Sequence, residues 1–230
     1  AFVVPRSNGI DANSHWEADL RWFMPEGEMP LCGHATLASV HALRETGRMT
    51  ADQEVRFHTA SGVLSCRQAG KQIEMDFPAS PVQEAELPQA LAEAFDVRPV
   101  KVFRQRRNDG SNGNLLLEFD SEETVRNLKP DFEKLRRAVN VGVIVTARGS
   151  SSGFDFVSRY FACYIGIDED SVTGSAHCIL TPYWAAVLGK TEMTAYQASA
   201  RGGVLGVRIS NDRVFLAGEA VTVLRGVLTC

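Results

Sequence analysis

The sequence lacks the features that mark several common classes of protein. Its 5 cysteines include no CxxC pair and no Cys/His ligand spacing, so it offers no structural metal site. No apolar run is long enough to cross a bilayer. A formal net charge of -4 and a pI near 5.8 argue against a surface for nucleic acid. We therefore expect a protein that binds neither nucleic acid nor membrane and holds no metal.

The cysteines are few, odd in number and scattered along the chain. Such a set is typical of reduced thiols in a cytoplasmic protein rather than of a disulfide framework. We therefore expect a cytoplasmic location and free thiols at Cys32, Cys66, Cys163, Cys178 and Cys230.

What the chain does contain is an internal repeat. Gly33 and Ala35 in CGHATLAS recur as Gly174 and Ala176 in TGSAHCIL, an offset of 141 residues, the difference between positions 33 and 174. The same offset carries ASGVLSCR onto RGGVLGVR. Because this period is too long for a solenoid, it predicts two homologous lobes that share one site at their interface.

The periodicity of each half predicts one long helix among several strands. Two prolines, Pro78 and Pro81, mark a lobe boundary, so we expect an N-terminal lobe over 1–82 and a C-terminal lobe over 83–230. The last strand could return to the first lobe. With 44% hydrophobic residues the chain can bury a core, and the mixture of elements favours an α+β fold. Helices are predicted at 36–46, 86–95 and 176–188, and strands at 55–57, 62–67, 72–77 and in a run over 195–223.

The predicted lobes are unequal in front of their glycine turns. Only 32 residues precede Gly33, whereas the segment between Pro81 and Gly174 is far longer. If the lobes are homologous, roughly 40 to 50 residues are missing from the front of the first lobe, together with its front strands. We therefore expect a chain that is truncated at its amino terminus.

Each glycine turn places small residues at the entry to a helix. The amides of a helix N-terminus bind carboxylates and phosphates, and glycine lets a ligand approach the backbone closely. Two such termini could hold one small acid between them, although the glycines could instead serve only close helix packing. The predicted substrate-binding residues are Cys32, Gly33 and Ala35 in the first turn and Thr173, Gly174 and Ala176 in the second.

Titratable side chains stand on the same two turns. His34 follows Gly33, and Asp170 lies shortly before the second turn, so the two could exchange protons with one small molecule. The alternatives are that Asp170 is a turn or cap carboxylate and that His34 is a satisfied core donor. Ser175 is predicted to be a ligand or hydroxyl donor rather than a nucleophile, because it lacks a GxSxG context and His177 would have to act as base from its own helix.

A thiol mechanism is the competing enzymatic interpretation. Some cofactor-free racemases use two opposed thiols, one from each lobe, but the offset places Thr173 opposite Cys32. Cys178 lies one turn into the helix and is predicted to be a buried small hydrophobe. A two-thiol epimerase is therefore disfavoured, and a one-thiol racemase or epimerase using Cys32 stays open.

The segments LCGHATLAS (31–39) and EDSVTGSAHCILTPYW (169–184) resemble the phenazine-biosynthesis isomerase-like, or PhzF-like, family. The resemblance covers nearly the whole chain. It implies the diaminopimelate epimerase-like fold, with two pseudo-symmetric lobes, each a barrel-like mixed sheet around a central helix, and the site in the cleft. It implies no metal and no organic cofactor. Characterised members isomerise a dihydro-hydroxyanthranilate by moving a proton between ring carbons.

The resemblance can be carried over only at matching positions. Gly33 and His34 match the first turn of the family, and Asp170, Gly174 and Ser175 match the second. The main acid/base of the family is a glutamate in a Ser-Glu-Thr segment directly ahead of a sequence like that at 1–4. The resemblance therefore implies that this glutamate is absent from the chain. The usual proline after the aspartate is replaced by Ser171.

These observations together predict a cofactor-independent isomerase that acts on a small carboxylate by acid/base proton shuttling, with a homodimer as the expected assembly. Asp170, His34 and Ser175 are the predicted catalytic residues. The alternatives are the one-thiol racemase and a non-catalytic small-acid-binding protein. We further expect a pocket flanked by the two turns, binding of small anions at both helix N-termini, and little activity unless the chain is extended at its amino terminus.

Overall fold

The computed structural model describes residues 1–10, 15–24, 27–29, 31–50, 52–107, 109, 111–150 and 153–227. Contacts divide the chain into two compact units, unit 1 with Ala1–Phe77 and Phe215–Cys230, and unit 2 with Pro78–Val214. Strands in mixed parallel and antiparallel pairing predominate over a few helices, so the predicted α+β class is confirmed. No helix in the described part of the chain is long and apolar enough to span a membrane.

Unit 1 is a mixed sheet with one long helix. Its strand order is β1-β2-β4-β5-β6, and β3 pairs with β2. Among the pairs formed by described residues of this unit, only β2–β4 is parallel. The elements are β1 (Phe2–Ile10), β2 (Trp16–Met24), β3 (Gly27–Met29), α1 (Gly33–Glu45), β4 (Val55–Thr59), β5 (Gly62–Ala69) and β6 (Gln72–Pro78).

The core of unit 1 follows from alternation along β2. Trp16, Ala18 and Leu20 are buried while the residues between them are partly exposed, because successive side chains of a strand point to opposite faces. Helix α1 contributes Val40 and Leu43 to the buried residues of this unit. The helix begins at Gly33, earlier than predicted, so the glycine turn forms its first turn.

Unit 2 has the larger sheet, in the order β7-β8-β9-β10-β11-β13-β14, with β12 paired to β11. The β9–β10 and β11–β13 pairs are parallel. Its elements are β7 (Val82–Glu84), α2 (Gln89–Ala92), β8 (Lys101–Gln105), β9 (Leu115–Glu118), α3 (Glu122–Asn127), α4 (Phe132–Ala138), β10 (Val143–Arg148), β11 (Phe156–Ala162), a 3-10 turn (Cys163–Ile165), β12 (Ile167–Asp170), α5 (Gly174–Leu188), β13 (Glu192–Gln197) and β14 (Gly203–Ser210), and β15 (Arg213–Gly218) spans the division between the units.

Helix α5 is buried along most of its length within unit 2. The Trp184 indole stacks on the Phe156 ring of β11, with centroids 5.8 Å apart, and its Nε1 donates to Thr146 Oγ1 at 3.0 Å. Pro182 lies inside the helix and has no N–H to give to the carbonyl of Cys178. That carbonyl instead accepts the Ser80 amide at 3.0 Å, so the helix continues through the proline with its backbone satisfied.

The internal repeat is visible in the order and pairing of the elements. β1-β2-β3-α1-β4-β5-β6 in the first half corresponds to β10-β11-β12-α5-β13-β14-β15 in the second. In both, the second strand is antiparallel to the first and third and parallel to the fourth. The two helices begin at Gly33 and Gly174, and β5 and β14 begin at Gly62 and Gly203.

Two element predictions are wrong in extent. The predicted run of strands to residue 223 ends at Gly218, because no neighbouring strand in the described part of the chain pairs with the segment beyond it, and Val221 and Val223 are largely exposed. The predicted helix over 86–95 is limited to Gln89–Ala92, with Pro88 as its N-cap.

Candidate functional site

The first turn, Cys32 to Ala35, forms the N-terminus of α1. Cys32 is the N-cap residue, has extended backbone and provides no side-chain cap. Its carbonyl accepts both the amide of Thr36 at 3.1 Å and the hydroxyl of Thr36 at 2.8 Å. Gly33 is buried, whereas His34 is exposed, so the alternative that His34 is a core donor is wrong.

A thiol and an imidazole meet on this turn. Cys32 Sγ lies 3.4 Å from His34 Nε2 and 3.9 Å from its Nδ1, and Cys32 is half-buried. A cysteine next to a histidine can pass its proton to the ring and become the better nucleophile or base. The geometry of the first turn is therefore compatible with proton exchange through either side chain.

The second turn, Thr173 to Ala176, forms the N-terminus of α5 directly after Asp170 ends β12. Thr173 is the N-cap residue, yet its side chain does not cap the helix. Its hydroxyl donates to Asp170 Oδ2 at 2.6 Å instead. Within the described residues, the amides of Gly174, Ser175 and Ala176 consequently have no acceptor. Unpaired N–H groups at a helix N-terminus are suited to a small anion, so anion binding at this turn stays a prediction.

Gln197, at the end of β13, is a member of this site that the sequence analysis missed. It is fully buried, and its Oε1 accepts the Thr173 amide at 2.7 Å. Its Nε2 donates to the Asp170 carbonyl at 2.8 Å and to Thr173 Oγ1 at 3.2 Å. No local pattern marks this glutamine, because only the parallel pairing of β13 with β11 brings it behind the turn.

His177 is buried in the first part of α5 and is not a base for Ser175. Its Nδ1 lies 2.8 Å from the Thr173 carbonyl, which can only accept, so Nδ1 carries the proton. Nε2 has no partner among the described residues. Burial lowers the pKa of His177 to about 4, so the ring is neutral near pH 7. Ser175 itself is half-buried, consistent with a ligand or hydroxyl donor.

The remaining thiols lie in the cores of the two units. Burial raises the pKa of Cys66 and of Cys163, and it raises the pKa of Cys178 to about 12. The prediction that Cys178 is a buried small residue is confirmed. Cys230 lies outside the described residues. The described ranges contain no group of three or more His, Cys, Asp or Glu side chains arranged to hold a metal ion.

The structure thus brings together predicted residues within each turn. Asp170 contacts Thr173 directly, and Cys32 contacts His34. The pocket predicted to be flanked by both turns stays a prediction.

The family described as "Phenazine biosynthesis-like protein" (PhzC-PhzF) matches residues 1–226. An uncharacterized isomerase of Halalkalibacterium halodurans is 47% identical over 229 residues, which are 99% of this chain and 81% of that protein. An uncharacterized isomerase of Pseudomonas aeruginosa is 46% identical over 207 residues, 90% of this chain and 76% of its own. The human phenazine biosynthesis-like domain-containing protein is 39% identical over 226 residues, 91% of this chain and 77% of its own.

The comparison with solved structures supports the same family. The crystal structure of a PhzC/PhzF protein of Clostridium difficile has a TM-score of 0.81 at 37% identity, covering 96% of this chain and 81% of that one. A hydroxyproline epimerase of Agrobacterium vitis has a TM-score of 0.56 at 13% identity, covering 94% of this chain and 70% of that one, which shows a shared fold alone. The family and the epimerase-like fold predicted from the two turn motifs are confirmed.

Proposed function

Since this chain belongs to the phenazine biosynthesis-like (PhzC-PhzF) family and is an isomerase of that type, we propose that it moves a proton between carbons of a small carboxylic acid without a cofactor. The observation that carries this proposal is the second turn, where the Asp170 carboxylate accepts the N-cap hydroxyl of a helix whose first three amides have no acceptor among the described residues. The amides suit the carboxylate of a substrate, and Asp170 suits the proton transfer.

One carboxylate oxygen of Asp170 accepts a hydrogen bond from the described part of the protein, and the other does not. Its Oδ2 accepts the Thr173 hydroxyl at 2.6 Å, whereas Oδ1 has no hydrogen-bond partner within the described ranges. The side chain is partly exposed, so a ligand can reach it. A carboxylate fixed at one oxygen keeps its direction while the other oxygen takes or gives a proton, which is the geometry of general acid/base catalysis.

The amides of Gly174 and Ser175 supply the binding half of the proposed reaction. They lie at the positive end of the α5 dipole, so they favour a substrate carboxylate and any negative charge that develops on it when a proton leaves. The half-buried Ser175 hydroxyl adds a donor on the same turn. Asp170, Gly174 and Ser175 thus place a proton-transfer group and an anion-binding group within one short segment.

His34 takes the second proton-transfer role if both turns serve one substrate. Its exposed ring and its contact with Cys32 also favour a second candidate, a one-thiol racemase in which His34 takes the proton of the Cys32 thiol, the thiolate removes a proton from the substrate carbon, and a proton from solvent replaces it. The non-catalytic alternative keeps the amides and Asp170 as a binding site for a small acid. The glutamate of the family and the homodimer stay predictions, and sedimentation velocity tests the dimer.

Deuterium exchange tests the proposal directly. The protein, both as the 230-residue chain and extended at its amino terminus, is incubated in D2O with a panel of small cyclic and unsaturated carboxylic acids. Incorporation at carbon is followed by proton NMR. We expect wash-in that falls by about 10²- to 10⁴-fold in Asp170→Asn.

Asp168→Asn is the matched control, because Asp168 lies on the same short strand but pairs with Arg136. Its exchange rate should stay near that of the unsubstituted protein. Binding of an acid without wash-in in either form would contradict the proposal and support the non-catalytic alternative.

A further inference from the structure

We propose that Gln197 is a positioning residue that holds the second turn in its ligand-accepting form, by orienting Asp170 and by keeping the Thr173 hydroxyl away from the helix amides. The inference rests on the proposed role of Asp170 and the three amides. It assigns to a buried glutamine the function of keeping a helix N-terminus uncapped.

The contacts of Gln197 all converge on one turn. Oε1 accepts the Thr173 amide at 2.7 Å, and Nε2 donates to the Asp170 carbonyl and to Thr173 Oγ1 at 2.8 and 3.2 Å. This pattern fixes the orientation of the side-chain amide, because a flipped amide would place its NH₂ against the Thr173 N–H. A fully buried group with both ends satisfied holds its neighbours firmly, since any movement would leave a polar atom unpaired.

The contact between Gln197 and the Thr173 hydroxyl affects how the N-terminus of α5 is capped. A threonine at an N-cap normally accepts an amide from the second or third residue of its helix. Here the hydroxyl gives its proton to Asp170 Oδ2 and accepts from Gln197 Nε2, so it is directed away from α5. The amides of Ser175 and Ala176 are therefore left without an acceptor among the described residues.

Two other helices of unit 2 show the ordinary arrangement. Ser121 caps α3 by accepting the Thr124 amide at 3.1 Å, and Asp131 caps α4 by accepting the Lys134 amide at 3.1 Å. Both helices thus use a side-chain cap where a suitable residue stands at the N-cap. At α5 a suitable residue is present and is engaged elsewhere, which points to a role for the uncapped amides.

Two further contacts hold the segment between Asp170 and α5. Ser199 Oγ donates to the Ser171 carbonyl at 2.8 Å. Gly203 lets Val172 pack closely, because a Cβ there would lie 2.3 Å from Val172 Cγ2. The segment between Asp170 and α5 is therefore fixed from the end of β13 and the start of β14.

The fold does not require this clamp, because the described residues of the other half of the repeat show none. Gln197 pairs with Gly203 at the start of β14, and the corresponding pair in unit 1 is Thr59 with Gly62. Thr59 donates to the Gly62 carbonyl of its own hairpin at 2.7 Å. The clamp therefore belongs to the second turn and is not a general feature of the repeat.

The test compares Gln197→Met with Thr181→Val in deuterium exchange, with kcat and KM measured separately. Methionine keeps the length of the side chain and removes all three contacts. Thr181 is fully buried on α5 and donates to the His177 carbonyl at 2.6 Å, so its variant loses a buried bond on the same helix without touching the turn. We expect kcat to fall on the order of 10- to 100-fold in Gln197→Met, which is the loss typical of removing the partner that orients a metal-binding side chain.

Thr173 provides a second route if Gln197→Met fails to fold. Thr173→Val should lower kcat in the same way, and Thr173→Ser, which keeps the hydroxyl, should restore it. A merely structural role would lower the melting temperature of Gln197→Met and Thr181→Val alike and leave kcat and KM unchanged. That result, with Asp170→Asn still inactive, would overturn the inference alone. Retained exchange in Asp170→Asn would instead overturn the proposed function.

Discussion

The two glycine turns begin equivalent helices, but different contacts hold them. The second turn is anchored from behind, where buried Gln197 and the Thr173 hydroxyl fix Asp170. Among the described residues the first turn shows no counterpart of that clamp, and it carries the exposed His34 in contact with Cys32. The repeat thus preserves a backbone scaffold, in which a helix without a side-chain cap begins at a glycine. The two copies carry different side chains: a fixed carboxylate in the second turn, and an accessible thiol and imidazole in the first.

One equivalent position shows how the scaffold is maintained with different side chains. Thr36 and His177 are related by the repeat, and each bonds to the N-cap carbonyl at 2.8 Å, through Oγ1 in one and Nδ1 in the other. Both satisfy the same backbone oxygen. Only the histidine adds a group that titrates.

The largest effect should separate the two side chains of the first turn. We expect His34→Asn to lower deuterium exchange by about 10²-fold or more, because it removes the proposed second acid/base group. Cys32→Ser should leave the rate within a few-fold, since serine keeps a small polar group at the N-cap. The reverse order, with Cys32→Ser inactive and His34→Asn active, would favour the one-thiol racemase.

The buried histidine of the second turn should make stability depend on pH. The native pKa of His177 is about 4 against an ordinary value of 6.5, so the unfolded state binds the extra proton between these values. The neutral ring therefore stabilises the fold fully above pH 6.5, and about 3 kcal/mol is lost as the pH falls to 4. Urea unfolding across this pH range should show a smaller decrease in the free energy of unfolding with falling pH in His177→Gln than in the unsubstituted protein. His41→Gln on α1 is the control, and an unchanged slope in His177→Gln would contradict the assignment.

A smaller effect should distinguish the two repeat-related glycines. Gly62 has φ +100, so a side chain there is strained although its surroundings are open, whereas a Cβ on Gly203 would overlap Val172. Each alanine variant should lose roughly 1 to 3 kcal/mol of unfolding free energy. Adding Val172→Ala should rescue Gly203→Ala and leave Gly62→Ala unimproved. Equal rescue of both alanine variants by Val172→Ala would contradict this distinction between the two glycines.

The predictable parts of this structure are those encoded locally. The glycine turns, the two long helices and the β5–β6 hairpin follow from short-range patterns, and the repeat relates them across the chain. Strand β12 was not among the predicted strands, because Ile167 to Asp170 is short and becomes a strand by pairing with β11. Gln197 was missed for the same reason. A polar residue at a strand end looks exposed until the parallel neighbour of that strand is known.

Anion binding at the second turn is the most direct test of the central claim, that Gly174, Ser175 and Ala176 offer their amides to a ligand beside Asp170. The protein is labelled with ¹⁵N and titrated with inorganic phosphate, and the amide resonances are followed. We predict saturable shifts at these three amides and none at Thr124, whose amide is already capped by Ser121. Shifts that are absent at the second turn, or equal at both helices, would contradict it.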